Sequence, residues 1–169
     1  MHSKQVRYAP AMPLISSSLD RESVSLHWSL PASPARVWWG LTDPEALPQW
    51  MGTITSGQFA LGDVVTVEHA EGYSCTSEVL DCEPQALLAM TWKFPDEPLS
   101  HLRIQLAPDG NTTGLALTHE GLGAESANYL PGWQTHLLYL EDLLAGRPRP
   151  MADFWATYEG LDDATTVSP

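Results

Sequence analysis

The sequence predicts an α+β domain in which a curved antiparallel sheet of about seven strands wraps one long C-terminal helix. Three observations carry that expectation. Runs of period-two alternation follow one another from Ser23 to Glu120, joined by turns too short for a parallel crossover. Two short helix signals, Ser33-Pro34 and Asp43-Pro44, come just after the first run. A last stretch, Pro131 to Gly146, sets Trp133, Leu137, Leu140 and Leu144 at helical spacing, with Gln134, Glu141 and Asp142 on the other side.

In chain order, residues 1–20 read as a flexible N-terminal arm, with Pro10, Pro13 and the run Ser16-Ser-Ser18. The folded domain spans 21–146. Its first strand places Val24, Leu26, Trp28 and Leu30 on one face. Pro48 ends the second short helix and delivers Trp50 and Met51 to the core. The Leu61-Gly62-Asp63 turn leads into a strand with Val65, Val67 and His69 on one side, and Glu71-Gly72 turns the chain back. Tyr73, Cys75, Ser77 and Val79 share the next inward face. After Glu83-Pro84-Gln85 come Leu88, Met90 and Trp92; after Pro95-Asp-Glu-Pro98 come Leu102 and Ile104. Asp109-Gly110-Asn111 is the strongest hairpin signal and feeds Leu115, Leu117 and His119. Residues 147–169 form a tail, with Phe154, Trp155, Tyr158 and Leu161 on one flank of a short closing helix.

A length of 169 residues allows one domain with a real core. Eight basic residues stand against 21 acidic ones, a net charge of −13. Such a surface repels phosphate backbones and anionic headgroups, so neither nucleic acid nor a membrane is an expected partner. No apolar run reaches the roughly 18 residues of a membrane span, and the N-terminus lacks the apolar core of a signal peptide. Cys75 and Cys82 are seven apart on one strand, an odd spacing that sets them on opposite faces and forbids a disulfide. Unpaired thiols without an export signal predict a cytoplasmic location.

Several pieces recur in a recognisable order over residues 22 to 146. They are Pro34-Ala-Arg-Val-Trp38, Leu41-Thr-Asp-Pro-Glu45, Trp50 and the Leu61-Gly62 turn. Then come Glu78-Val79, Pro84, Leu88, Thr91-Trp92, the block Thr113 to Leu122, and Gly132-Trp133 with Leu137, Leu140 and Leu144. This series resembles the START-like (SRPBCC) superfamily and, within it, the family named for the C-terminal domain of the heat-shock protein 90 ATPase activator. The resemblance implies a helix-grip fold whose sheet and C-terminal helix enclose a pocket for a small apolar or aromatic molecule. It also implies that a minority of members act as polyketide cyclases.

By alternation and by that resemblance, the pocket is expected to be lined by Val67, His69, Tyr73, Met90, Trp92, Leu117 and His119 from the sheet. Trp133, His136, Leu137 and Leu140 face them from the helix, and Trp38 and Trp50 cap the end. His69, His119 and His136 are the candidates for a general base, because imidazole titrates near neutral pH. They show no His-x-x-x-His spacing and no flanking carboxylate motif, so no metal is expected. Gly121-Leu-Gly123 lacks the strand–turn–helix setting of a phosphate loop, and no cofactor is expected. Three readings follow: a small-molecule binder, a cofactor-independent cyclase or aromatase using a pocket His or Tyr, and a chaperone-regulator interaction module. A homodimer built on the Trp155 tail is a further reading of that exposed aromatic flank.

Overall fold

The computed structural model describes residues 14–19 and 22–167, with side chains from 22 to 161. The strands are β1 (Leu14–Leu19), β2 (Val24–Leu30), β3 (Thr53–Ser56), β4 (Val64–Ala70), β5 (Tyr73–Glu83), β6 (Leu87–Trp92), β7 (Ser100–Asp109) and β8 (Thr112–Glu120). The helices are α1 (Pro34–Thr42), α2 (Ser126–Leu144) and α3 (Phe154–Val167), with 3-10 turns at Leu47–Gln49, Gly123–Glu125 and Met151–Asp153. All eight strands join one antiparallel sheet in the order β1-β2-β8-β7-β6-β5-β4-β3. This is the expected sheet with α2 held against it. The two additions are edge strands: β3, and β1, which lies within the stretch read as an arm and pairs with β2 from Leu14↔Trp28 to Leu19↔Val24. Residues 1–13 and 20 of that arm lie outside the described residues.

Alternation set the strands correctly because one sheet face is buried and the other is wet. Val24, Leu26, Trp28 and Leu30 of β2 are all buried, as are Leu102, Ile104 and Leu106 of β7 and Leu115, Leu117 and His119 of β8. From α2, Trp133, Leu137 and Leu140 complete the core against them. Ser33 caps α1 by accepting from the Arg36 N–H at 3.3 Å, with Pro34 in its first turn. The second short helix is the 3-10 turn at Leu47–Gln49, entered through an Asx turn in which Asp43 Oδ1 accepts from the Glu45 N–H at 2.8 Å.

Two local features hold the helices close. A Cβ on Gly40 would lie 2.8 Å from Leu140 Cδ1, so α1 and α2 pack closely here and a larger residue would have to push the Leu140 side chain aside. The Trp50 indole then donates to the Gly40 carbonyl at 2.7 Å, fixing the turn after α1 beneath that contact. The expected start of α2 at Pro131 is corrected: the helix begins at Ser126, and Pro131 sits buried inside it. The proline removes one helical hydrogen bond, while Leu130 and Pro131 are buried and the Thr135 hydroxyl donates to the Pro131 carbonyl at 2.7 Å. Cys75 and Cys82 are both free, and burial pushes the Cys75 thiol up to about 11, which leaves it unreactive near neutrality. Among the described residues, no helix is long and apolar enough to cross a membrane.

Candidate functional site

The interior between the sheet and the short helices is nearly filled. A void of about 20 Å³ remains there, bordered by Trp50, Val67, His69, Met90 and Trp92 together with Cys75 and Ser77. That is room for about one water molecule. The larger space lies at the end of the sheet, where the first turns of α2 diverge from β4–β5 and from the β6–β7 loop. This cleft measures about 360 Å³ and is roofed by Met151, Phe154, Trp155 and Tyr158 of the C-terminal segment. His69, Tyr73, Trp92 and Phe94 form the sheet wall; Asn128, Tyr129, Gly132, Trp133 and His136 form the helix wall; Glu97 and Glu125 stand among them.

Aromatic rings run almost continuously around this space. Tyr73 stacks on Phe94 at 4.4 Å, and His69 meets Phe94 edge-on at 5.0 Å. Trp92 and Trp133 are 5.3 Å apart, Trp133 and His136 5.6 Å, and His136 and Phe154 4.6 Å. Phe154, Trp155 and Tyr158 continue the series at 5.3 and 5.4 Å. The linker before α3 is anchored on α2, where Tyr139 donates to the Pro150 carbonyl at 2.9 Å and Arg149 pairs with Asp142 at 2.5 Å. These two contacts fix where the aromatic flank of α3 lands.

The three candidate histidines have different surroundings. His119 is fully buried and lines neither space. Its Nδ1 accepts from the Trp133 indole at 3.0 Å, so Nε2 carries the proton and donates to Ser100 Oγ at 2.8 Å. The Ser100 hydroxyl donates onward to the Trp92 carbonyl at 3.3 Å. This chain ties β6, β7, β8 and α2 together, and burial lowers the His119 pKa to about 3. His136 donates from Nδ1 to the Trp50 carbonyl at 2.8 Å, leaving Nε2 as an acceptor. His69 sits 6.0 Å from His136, and its buried Nε2 has no hydrogen-bond partner among the described residues. Burial holds His69 at about 3 and His136 at about 4, so both are neutral at pH 7. Among the described residues, no three His, Cys, Asp or Glu side chains are grouped to hold a metal ion.

The polar groups around the cleft are mutually engaged. The Trp92 indole donates to the Tyr129 hydroxyl at 3.0 Å, which donates to Glu97 Oε1 at 2.5 Å. Burial raises the Glu97 carboxyl above its ordinary range, and Glu125 and Asp96 push the same way. The Tyr73 hydroxyl donates to Asp96 at 2.7 Å.

Of the residues expected at the pocket from sequence, His69, Tyr73, Trp92, Trp133 and His136 come together at this cleft. Trp50, Val67 and Met90 border the small void instead. Leu117, Leu137, Leu140 and His119 are packed in the core, and Trp38 rests half-buried against it. Sequence reasoning missed Phe94, Glu97, Glu125, Asn128 and Tyr129, which come from loops and from the α2 turns ahead of Pro131. The signal for the roof was present in the Phe154, Trp155 and Tyr158 spacing.

Known structures share this architecture. CalU16 from Micromonospora echinospora superposes with a TM-score of 0.73 at 22% identity, covering 88% of this chain and 94% of its own. DynU16, from the dynemicin biosynthetic locus, gives a TM-score of 0.69 at 26% identity over 76% of this chain and 49% of its own longer one. A Bordetella parapertussis protein encoded by gene BPP1335 gives 0.68 at 25% identity, covering 91% and 90%. No curated protein sequence matches the chain. The sequence model of the family described as activator of Hsp90 ATPase homolog 1-like protein matches residues 31–145, from α1 to the end of α2. The chain therefore belongs to the activator of Hsp90 ATPase homolog 1-like family.

Proposed function

We propose that this protein binds a small organic molecule in the cleft beneath α3, not in the interior between sheet and helix. The observation that carries the reading is the contrast in space: about 360 Å³ in the aromatic cleft against about 20 Å³ inside. Small-molecule sites commonly occupy about 300–1,000 Å³, mostly apolar with a few placed polar groups. The origin of DynU16 in a biosynthetic locus agrees with a small-molecule role. Binding is favoured over an enzyme that polarises a carbonyl through a tyrosine, because the Tyr73 and Tyr129 hydroxyls already donate to Asp96 and Glu97. An enzyme of that kind needs such a donor aimed at substrate.

The test uses a neutral aromatic dye, Nile red, titrated against the full chain and against Gly132→Phe. A Cβ on Gly132 faces Tyr158 at 3.8 Å, so a phenyl ring there enters the space between α2 and α3. Saturable one-to-one binding by the parent, weakened about tenfold or more in the variant, is the expected result. Equal binding by both proteins, or none by the parent, removes the cleft as the site.

A further inference from the structure

We propose that the ligand of this cleft is an organic cation, an amine or quaternary ammonium carried on an aromatic or apolar body. The inference rests on the cleft being the binding site and names the chemistry it selects.

Three features point the same way. First, the walls are rich in aromatic side chains, whose π faces attract a positive charge placed over the ring. Second, two carboxylates, Glu97 and Glu125, belong to the lining, and Asp96 lies beside them on the same turn as Glu97. Glu97 gives one oxygen to Tyr129, while its Oε2 receives no hydrogen bond among the described residues. Glu125 accepts only from the Asn128 amide, at 3.3 Å. Third, no cation pairs directly with them within the cleft. The Lys93 charge offsets part of the upward shift of Glu97, but its ammonium donates to the Phe94 and Pro95 carbonyls at 2.7 and 3.5 Å and forms no ion pair with either carboxylate among the described residues. The lining holds no Lys or Arg, and its two histidines are neutral at pH 7.

These features separate the ligand classes physically. An anion entering the cleft meets two carboxylates and no Lys or Arg. A neutral aromatic gains the apolar contact but strips water from Glu97 and Glu125 without replacing it. A cation gains the same contact and supplies the missing partner. The net charge of −13 adds attraction at long range, raising the local concentration of cations at the mouth.

The experiment compares three probes that share one naphthalene ring: 2-(1-naphthyl)ethylamine, 2-(1-naphthyl)ethanol and 1-naphthylacetate. Calorimetric titration of the full chain at pH 7 and low salt gives each affinity. The amine is expected to bind about tenfold or more tighter than the alcohol, with the carboxylate weakest. Glu97→Gln and Glu125→Gln, each checked for an unchanged circular dichroism spectrum, are expected to shrink the amine-to-alcohol ratio by about threefold or more. If the alcohol matches the amine, or the carboxylate binds best, the cationic assignment fails while the cleft stands as a binding site. An amine preference unchanged in both variants belongs to the whole-protein charge and also overturns it. If none of the three binds, the binding reading itself falls with it.

Discussion

Two regions made from the same residue types behave differently. Between the short helices and the sheet, Trp50, Val67, Met90 and Leu88 interlock around a void of about 20 Å³. Eight or more rings of similar size, gathered at the end of α2, leave about 360 Å³ open. The difference lies in where the layers part. Trp50, which donates to Gly40 and accepts from His136 through its carbonyl, and the cleft-wall rings Trp92, Tyr129 and Trp133 are all bonded from one element to another. The open space lies beyond them, under the Phe154, Trp155 and Tyr158 rings of α3. The roof comes from α3, beyond the 31–145 segment that defines the family. The family domain supplies a solid core, and the C-terminal segment roofs a cleft against its end.

The comparison breaks most easily at tryptophan. Trp50→Ala is expected to destabilise the fold by about 3–5 kcal/mol, because a fully buried indole leaves a cavity. Trp155 is 65% exposed, and Trp155→Ala is expected to stay within about 0.5 kcal/mol of the parent in urea unfolding. A comparable loss in both variants would show that α3 is part of the core and not a roof over a cleft.

Acidity tests both regions together, since His119 lies in the interior and His69 and His136 in the cleft wall. Unfolded, each titrates near 6.5; folded, burial holds them at about 3, 3 and 4 respectively. Between those values the unfolded chain binds more protons. Stability is therefore full above pH 6.5 and is lost as pH falls, by about 1 kcal/mol per pH unit for each histidine. Glu97 and Glu141, raised by burial, act in the opposite sense towards the carboxylate range. Urea midpoints at pH 7, 6 and 5 should decline in that order; an unchanged midpoint at pH 5 would mean the rings are not held neutral.

The smallest effect sharpens the cleft itself. Gly132 lies within α2, and an added Cβ finds only Tyr158 at an ordinary 3.8 Å. Gly132→Ala is expected to raise stability by about 0.5–1 kcal/mol through helix propensity alone. A loss in the melt would mean that α2 and α3 are packed more tightly than this spacing allows.

Much of the fold was legible because burial on one face imposes a period that the residues display. The inward sets of β2, β4, β6, β7 and β8 could be read from alternation, and Ser33-Pro34 announced α1. Pro131 misled, since a proline reads as a helix start unless the buried residues around it offset the lost hydrogen bond. β1 was hidden because Leu14–Leu19 carries three serines between its apolar ends. In the cleft, expected residues on regular elements come together: His69, Trp92, Trp133 and His136. Glu97 and Glu125 were not, because turn residues reach a cleft only through tertiary docking that has no period. The same limit explains why Leu137 and Leu140, inward by spacing, proved to be core and not lining. Periodicity tells inside from outside; it does not tell a filled inside from an empty one.

The most direct test uses the seven tryptophan indole N–H signals, which sample both regions. A ¹H–¹⁵N correlation spectrum is recorded during titration with 2-(1-naphthyl)ethylamine. Trp92, Trp133 and Trp155 are expected to shift while Trp28, Trp38, Trp39 and Trp50 hold their positions. Movement of Trp50 with Trp155 unmoved would place the ligand in the interior and contradict the cleft assignment.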